Sequence, residues 1–283
     1  MSVFDLPAVT RLIETALSED VGRGDITTQL TVPADRRATA TVLAKQDGVL
    51  AGLPLVGRVF EVLRADDVRV TALAADGDAF AHGKRLATVE GPAADLLVGE
   101  RVILNLLQRL CGVASLTRRY VEAISGSSKA RIIDTRKTTP GMRVLEKYAV
   151  RVGGGHNHRG GLDDGILIKD NHLVAAGGVR AAVAAARRGA PHPLRIQVEC
   201  ATFEQIDEAL AVGAEVIMLD NMTVEQMAEA VRRIAGRALV EASGRMTLEC
   251  IRAVADTGVD LISVGALTHS AASIDISMKI RLS

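Results

Sequence analysis

The sequence predicts an α/β protein in two parts that meet near residue 113. Before that point, strand-like runs are irregular and separated by turn signals, which is typical of an antiparallel sheet with flanking helices. Beyond it, β-branched runs alternate with helical patterns, and such repeats indicate a parallel sheet covered by helices. The repeats are too few for a complete eight-stranded barrel, so an incomplete barrel and an open doubly wound sheet both remain possible.

The first part opens with an amphipathic helical pattern over residues 1–20. It lacks the long apolar core of a signal peptide. Predicted strands follow at 38–45, 68–74 and 85–91. A helical pattern then runs from about Pro92 to Ile124, and we expect a break near Gly112 because glycine weakens a helix interior.

The second part consists of predicted strands with helical patterns between them. The strands are at 131–134, 165–170, 195–200, 215–220, 238–243 and 261–266. A helical pattern fills residues 174–188. Thr202, Thr223 and Thr247 begin later helical patterns and are candidate N-caps or first-turn residues, since a threonine hydroxyl can accept from free backbone N–H groups.

Composition excludes several classes of protein. The 34 basic and 34 acidic residues cancel, which gives no reason to expect nucleic acid or membrane binding. Aromatic residues make up 2% of the chain, too few for a surface that stacks bases. Cys111, Cys200 and Cys250 fit neither a zinc pattern nor a disulfide framework, so we expect buried thiols. No apolar run approaches the roughly 20 residues that span a bilayer, and a reducing cytoplasm is expected.

Polar residues and glycines follow the predicted strands of the second part. In parallel α/β folds the carboxyl ends of the strands carry the chemistry, and a barrel would bring them to one mouth. These strand ends hold Asp134-Thr135-Arg136-Lys137, Lys169, Glu199, Asp220, Glu241 with Ser243-Gly244, and Gly265-Ala266. The segment 134–172 also concentrates cations among glycines, which suggests a site for a small anion.

The residue types suggest a division of labour. Arginine and lysine grip carboxylates and phosphates, and the candidates are Arg136, Lys137, Arg159 and Lys169. Glu199 and Asp220 suit a ribose diol or Mg²⁺ carried in by phosphates. Backbone N–H groups at Ser243-Gly244 and Gly265-Ala266 can seat a phosphate. His158 could orient a neighbour, donate a hydrogen bond or carry a proton.

Two other functions fit the same residues. Lys169 at a strand end could form a Schiff base in a barrel lyase. A non-catalytic anion-binding protein could use the same cations. Neither a GxSxG nor an HExxH motif nor a GxxxxGK[ST] loop is found in the sequence.

At these residues the sequence resembles the quinolinate phosphoribosyltransferase family. The resemblance covers nearly the whole chain. It is carried by SEDVGRGDITT, ERVILNLLQRLCGVASLT, DTRKTTPGMRVLEKYAVRVGGG, NHRGGLDDGILIKDNH, VECATFEQIDEAL, IMLDNMT, VEASGRM and VGALTHSAASIDISMKI. Departures from the family pattern are His156, Gly160 and Arg245.

The resemblance implies an N-terminal open-faced α/β sandwich over residues 1–112 and a C-terminal incomplete, TIM-like α/β barrel over residues 113–274. Residues 275–283 are expected to pack back on the sandwich. It also implies transfer of phosphoribose from phosphoribosyl pyrophosphate to quinolinate with decarboxylation. The products would be nicotinate mononucleotide, pyrophosphate and CO₂, in NAD biosynthesis. A molybdenum-transport-associated homologue of the same fold is the rival within the resemblance.

The resemblance also assigns roles to particular residues. Lys137, Glu199 and Asp220 would be catalytic, and the last two would help to hold Mg²⁺, mostly through substrate and water. Arg101 would enter the neighbouring subunit's site, so a homodimer is the minimal active unit. The full set of implied substrate-binding residues is Arg101, Thr135, Arg136, Lys137, His158, Arg159, Lys169, Glu199, Asp220, Ser243, Gly244, Gly265 and Ala266.

Overall fold

A computed structural model describes residues 2–126 and 129–282 of the 283-residue chain. The elements up to Ile124 are a 3-10 turn (Val3–Asp5), α1 (Pro7–Val21), α2 (Ile26–Thr31), β1 (Arg37–Ala44), β2 (Gly48–Val49), α3 (Leu55–Leu63), β3 (Arg69–Ala72), β4 (Ala79–Phe80), β5 (Arg85–Pro92) and α4 (Ala93–Ile124). Those that follow are β6 (Arg131–Ile133), α5 (Arg143–Val152), β7 (Ile166–Ile168), α6 (Asp170–Ala176), α7 (Val179–Gly189), β8 (Ile196–Cys200), α8 (Phe203–Ala211), β9 (Val216–Asp220), α9 (Val224–Ile234), β10 (Leu239–Ser243), α10 (Ile251–Asp256), β11 (Leu261–Ser263), α11 (Ala266–His269) and β12 (Ile276–Leu282).

The chain divides into two compact units. The first contains the described residues of Met1–Arg118, Thr138–Gly154 and Ser270–Ser283. The second contains those of Arg119–Lys137 and Gly155–His269. The domain boundary predicted at residue 112 falls inside helix α4, and the predicted division stays a prediction.

The first unit contains a four-stranded sheet in the order β12-β1-β5-β3. All its pairings are antiparallel, as the irregular strand pattern predicted. Strand β1 alternates between more exposed and buried residues, and its buried side chains are Ala38, Ala40, Val42 and Ala44. This period of two gives the sheet one core-facing side. Helix α1 matches the predicted amphipathic pattern, with Val9, Ile13 and Leu17 buried at four-residue spacing.

Helix α4 is unbroken at Gly112, so the predicted break was wrong. A Cβ atom at Gly112 would lie 2.0 Å from the carbonyl oxygen of Ala272. The Nη1 atom of Arg109 on the same helix donates to the carbonyl oxygen of Ala271 at 2.7 Å. Glycine is therefore required here for the close approach of the segment before β12, not for a bend.

The second unit contains a six-stranded sheet in the order β6-β11-β10-β9-β8-β7. Every pairing within it is parallel, which confirms the predicted α/β class and its alternating units. Strands β6 and β7 form the two edges. Residues 216–219 of β9 are all buried, as expected for a parallel strand covered on both faces.

The predicted helix starts were partly right. Thr202 and Thr223 are the N-caps of α8 and α9, each in a reciprocal capping box with the glutamine three residues later. Thr247 is not a cap, because α10 begins only at Ile251. The single helix predicted over 174–188 is interrupted by Gly177 and Gly178, whose φ angles of 86° and 115° no helix can contain.

Two of the three cysteines are buried, as predicted. Burial raises the pKa of Cys111 and of Cys200 to about 12, which leaves both thiols unreactive at neutral pH. Cys250 is only partly buried, so that prediction fails there. Among the described residues, no helix is both long and apolar enough to cross a membrane.

Candidate active site

The second unit has a cavity of about 570 Å³ at the carboxyl ends of its parallel strands. The sequence-predicted residues that line it are Thr135, Arg136, Lys137, His158, Arg159, Lys169, Glu199, Asp220, Ser243, Gly244, Gly265 and Ala266. They come from segments far apart in the chain. A parallel sheet brings them together because its strands all end at the same edge.

Arg101 is the one predicted site residue that does not line this cavity. It lies on α4, in the first unit, and is exposed. Its side chain makes no ion pair or hydrogen bond within the described part of the chain. The guanidinium is therefore accessible on the single subunit.

Asp134 joins the end of β6 to the segment that carries His158. Its side chain is fully buried, and its carboxylate accepts from the backbone N–H of His158 and from the Asn157 side chain, both at 2.7 Å. Its own backbone N–H donates to the carbonyl of His156 at 3.0 Å. A buried carboxylate with several donors holds a backbone firmly. Asp134 thus positions the loop, a role that the sequence alone did not reveal.

Lys137 is held on both sides by backbone contacts. Its N–H donates to the Thr135 hydroxyl at 3.0 Å, and its carbonyl accepts from the Thr268 hydroxyl at 2.7 Å. A Cβ atom at Gly265 would lie 3.1 Å from the Cδ atom of Lys137. The glycine leaves room for the lysine stem, and the ammonium group belongs to the cavity wall.

Arg159 lies near a second guanidinium. Burial lowers its pKa, the charge of Arg136 lowers it further, and Asp164 opposes the shift. The Nη1 atom of Arg159 donates to the carbonyl of Gly165 at 2.9 Å. Like charges held together in a cavity are costly unless an anion joins them, so this pair favours an anionic ligand.

The ring of His158 is tied into the protein through both nitrogens. Its Nδ1 atom accepts from the backbone N–H of Arg159 at 2.7 Å, and its Nε2 atom lies 3.1 Å from Oε1 of Gln197. The same Nε2 atom is 3.6 Å from Oε2 of Glu241. Gln197 was not singled out from the sequence, and Glu241 was noted only as a strand-end residue.

Glu241 is a carboxylate inside strand β10, with 1% of its surface exposed. Burial raises its pKa to about 7. The hydrogen bond that it accepts from Nε2 of Gln197 at 2.7 Å opposes this rise, because it stabilises the ionised carboxylate. Glu241 lines the cavity. The signal in the sequence was an acidic residue within the apolar run ALVEAS, where an unpaired charge is expensive.

Lys169 and Glu199 form an ion pair on the cavity wall, with Nζ 3.5 Å from Oε2. Burial raises the pKa of Glu199, Lys169 opposes the shift, and the nearby charge of Asp220 adds to it. Asp220 accepts from the side chain of Asn221 at 3.0 Å. Two carboxylates in reach of each other suit a ligand that carries hydroxyls or a cation.

The loop after β10 requires glycine. Gly244 has a φ of 128°, and a Cβ atom there would lie 2.7 Å from Oδ1 of Asn221. A residue with a side chain could not adopt this conformation without strain or a clash with Asn221. Arg245 follows and also lines the cavity.

His156 and Gly160, the other two residues that depart from the family pattern, lie in the loop around His158. His156 pairs through its backbone with Ile133, and its side chain is exposed. Asp164 accepts from the backbone N–H groups of Gly160 and Gly161 at 2.6 and 2.9 Å, which closes the turn at Gly160.

The described residues contain no group of three or more His, Cys, Asp or Glu side chains that could hold a metal ion. Glu199 and Asp220 remain as two oxygen donors. That is enough for Mg²⁺ only if a ligand and water supply the rest.

Known proteins of one family are similar to this chain. The model for the N-terminal domain of quinolinate phosphoribosyl transferase matches residues 25–111, and the model for its C-terminal domain matches residues 113–279. A protein of Bacillus subtilis named probable nicotinate-nucleotide pyrophosphorylase (carboxylating) is 45% identical over 273 residues, covering 96% of this chain and 93% of that protein. The corresponding protein of Mycobacterium leprae is 46% identical and covers 98% of this chain and 99% of its own length.

A solved structure shows the same fold. The crystal structure of NadC from Streptococcus pyogenes is 41% identical, with a TM-score of 0.94 over 100% of this chain and 99% of that one. The two models together match both parts of the chain, and each of the two relatives and the solved structure extends over both. The chain belongs to the quinolinate phosphoribosyl transferase family.

Proposed function

We propose that this protein transfers phosphoribose from phosphoribosyl pyrophosphate to quinolinate with loss of CO₂, which yields nicotinate mononucleotide and pyrophosphate. The observation that carries the proposal is the wall of the cavity, where five arginine and lysine side chains outnumber three carboxylates. Quinolinate is a dianion and phosphoribosyl pyrophosphate a polyanion, so a site for both needs an excess of cations. Family membership supplies the choice of these two substrates.

The cations divide between the two substrates. Arg136 and Arg159, already close to each other, bind the carboxylates of quinolinate. Lys137 neutralises the departing pyrophosphate. Backbone N–H groups at Ser243-Gly244 and Gly265-Ala266 hold the 5′-phosphate, with Thr135 beside Lys137 completing the cradle.

The two carboxylates bind the sugar. Glu199 and Asp220 accept from the ribose hydroxyls, and their charge stabilises the positive character that develops at the anomeric carbon. Lys169 holds Glu199 in place through the ion pair. Glu199, which is half buried in the wall, interacts strongly there because water is scarce.

The bond changes balance without a redox partner. The ring nitrogen of quinolinate attacks the anomeric carbon, and the bond to pyrophosphate breaks. The C2–carboxylate bond then breaks and releases CO₂, and its electron pair remains at C2 beside the positive ring nitrogen. A proton from water replaces the carboxylate. The protein mainly positions the reactants and neutralises charge.

Mg²⁺ is part of the proposal. Glu199 and Asp220 would supply part of its coordination, and the ion would add positive charge at the pyrophosphate. Two carboxylates without a third donor fit an ion that arrives with the substrate.

The lyase reading of Lys169 is disfavoured by its contact. A Schiff-base lysine needs its amine free to attack a carbonyl carbon, whereas Nζ of Lys169 is paired with Oε2 of Glu199 at 3.5 Å. Failure of borohydride to trap a carbonyl substrate on the protein would agree with this assignment.

A homodimer with shared sites completes the proposal. Arg101 is exposed on its own subunit without a polar side-chain partner among the described residues, which suits a residue that serves a neighbouring site. The cytoplasmic location predicted from the sequence stays a prediction.

The test is an assay for nicotinate mononucleotide with quinolinate, phosphoribosyl pyrophosphate and Mg²⁺. We expect product from quinolinate and little from nicotinate, because a cation that has lost its carboxylate partner stays buried and unpaired. Equal turnover of nicotinate, or no product from quinolinate, would contradict the proposal. Chelation of Mg²⁺ should abolish turnover, and full activity in excess chelator would exclude the metal.

A further inference from the structure

A chain of hydrogen bonds runs from the buried Glu241 to the backbone of Arg159. Nε2 of Gln197 donates to Oε2 of Glu241 at 2.7 Å. Oε1 of Gln197 lies 3.1 Å from Nε2 of His158. Nδ1 of His158 accepts from the backbone N–H of Arg159 at 2.7 Å. Arg159 lies at the end of this chain and on the wall of the cavity.

The chemistry of Glu241 sets the direction of this chain. An ionised carboxylate can only accept, so Gln197 must turn its NH₂ group toward Glu241 and its oxygen toward His158. An oxygen facing Nε2 requires the proton there. Nδ1 then carries no proton and accepts from the N–H of Arg159. Reversal at any point would place two donors or two acceptors against each other.

We propose that Glu241 is a positioning residue: through Gln197 it fixes the tautomer of His158 and so holds Arg159 in place for a carboxylate of quinolinate. The choice of quinolinate rests on the proposed function, whereas the hydrogen-bond chain does not. Glu241 itself need not touch the substrate.

The surroundings of Glu241 favour this role over a purely structural one. Its Oε1 atom is buried and has no hydrogen-bond partner among the described residues. The hydroxyl of Ser263, on the neighbouring strand β11, is close enough to lower the pKa of Glu241, but it is shared with the carbonyl of Ala242, which lies 3.2 Å away and accepts from it. A fold that needed only stability would place an apolar residue here, since a half-satisfied buried carboxylate is costly.

Burial raises the pKa of Glu241 to about 7, so the direction of this hydrogen-bond chain should depend on pH near neutrality. The groups that face it are Gln197 from β8, His158 from the loop before β7, and Ser263 from β11. At longer range, the charge of Glu199 raises the pKa and that of Lys169 lowers it. Only the ionised form is restricted to accepting, and that form is lost as the pH falls through about 7.

The test compares Glu241→Gln with Gln197→Leu and the double variant, with Glu208→Gln at an exposed position of α8 as the matched control. An amide at 241 can donate as well as accept, so the direction of the chain is no longer fixed. We expect kcat/KM for quinolinate to fall about 10- to 100-fold in each single variant, and the double variant to be no worse. The KM for phosphoribosyl pyrophosphate should stay within about twofold.

Two further readouts separate positioning from a general loss of structure. Histidine ¹⁵N spectra should show Nδ1 of His158 unprotonated in the wild type and partly protonated in Glu241→Gln. At saturating phosphoribosyl pyrophosphate, the fall of kcat/KM for quinolinate below pH 7 should disappear in the same variant.

The inference is overturned if folded Glu241→Gln keeps the wild-type kcat/KM for quinolinate, if the losses in the two single variants add, or if the His158 tautomer is unchanged. If Glu241→Gln does not fold, Gln197→Leu and its spectrum decide alone. The spectra need no turnover. A wild type with the expected tautomer but no product would therefore refute the proposed function and leave the hydrogen-bond chain standing.

Discussion

Each unit contains one buried glutamate among its described residues, and the two glutamates differ in their hydrogen-bond partners. Glu146, on α5 in the first unit, has no exposed surface, and both of its oxygens are used. Its Oε1 atom accepts from Nε and Nη2 of Arg109 at 3.0 and 2.7 Å, and its Oε2 atom accepts from the backbone N–H of Thr139 at 3.0 Å. Glu241 has no arginine partner, and its Oε1 atom is without a hydrogen bond among the described residues.

The difference separates a structural from a functional buried charge. A carboxylate with a full set of donors, one of them a cation, is stable where it lies, and removing it leaves the cation and donors unpaired. A buried carboxylate without a cationic partner, and with one oxygen that accepts no hydrogen bond, is held at a cost, and such a cost is typical of sites whose residues serve chemistry. Glu146 in the first unit is thus a buried carboxylate with hydrogen bonds to both oxygens. Glu241, on the cavity wall of the second unit, is not.

A large effect on folding stability is expected in the first unit. Glu146→Ala should lower the free energy of unfolding by about 3 kcal/mol, at the low end for a buried pair because 19% of the Arg109 side chain stays exposed. Urea unfolding measures the change. kcat/KM per folded molecule should stay within about threefold.

Glu122→Ala, at an exposed position of α4, is the control for that measurement and should change the unfolding free energy by less than about 0.5 kcal/mol. If Glu146→Ala were fully stable but inactive, the contrast between the two glutamates would be the reverse of the one drawn from their contacts.

Arg101 tests whether the first unit is only a scaffold. If it grips a quinolinate carboxylate in the neighbouring subunit, Arg101→Ala should lose roughly 2–5 kcal/mol of interaction, seen as a lower kcat/KM for quinolinate, while folding and dimerisation survive. Mixing the inactive Arg101→Ala and Lys137→Ala proteins should restore activity, because a heterodimer contains one site with both residues intact. Subunit exchange without any return of activity would rule out the shared site.

The smallest expected effect is at Arg245. Its guanidinium is exposed on the cavity wall, so water and salt screen its charge. Arg245→Ala should raise the KM for phosphoribosyl pyrophosphate only about two- to fivefold, and less at high salt. Arg188→Ala, exposed on α7, is the control. A loss of a hundredfold or more would mean that Arg245 binds a phosphate directly.

The sequence predicted the second unit better than the first. Each β-branched run of that unit became a strand close to its predicted bounds, because alternating units repeat one local pattern. Helix α5 was not predicted from the sequence, and its buried face includes two charged residues, Glu146 and Lys147. The break expected at Gly112 failed because a tertiary contact, which no local pattern shows, required the glycine.

The candidate site was predictable as a set of strand ends, but the hydrogen bonds between its residues were not. Residues such as Lys137 and Asp220 follow apolar runs directly, and the parallel fold brings those points together. Gln197 carried no signal, because a glutamine in a strand usually faces solvent. The role of Gln197 depends on its hydrogen bonds to His158 and Glu241, and these are visible only in the folded structure.

The most direct test is the stability of Glu241→Gln as a function of pH, measured alongside its activity. Burial raises the pKa of the folded carboxyl from 4.5 to about 7, so the wild type loses stability as the pH rises between these values and does not recover it above them. The variant should therefore be more stable than the wild type by roughly 3 kcal/mol at pH 8, with the difference shrinking toward pH 5. If Glu241 is held for function, the same variant is less active at pH 8 although it is more stable. A variant that is less stable at pH 8 would contradict this, and would place Glu241 with Glu146 as a structural charge.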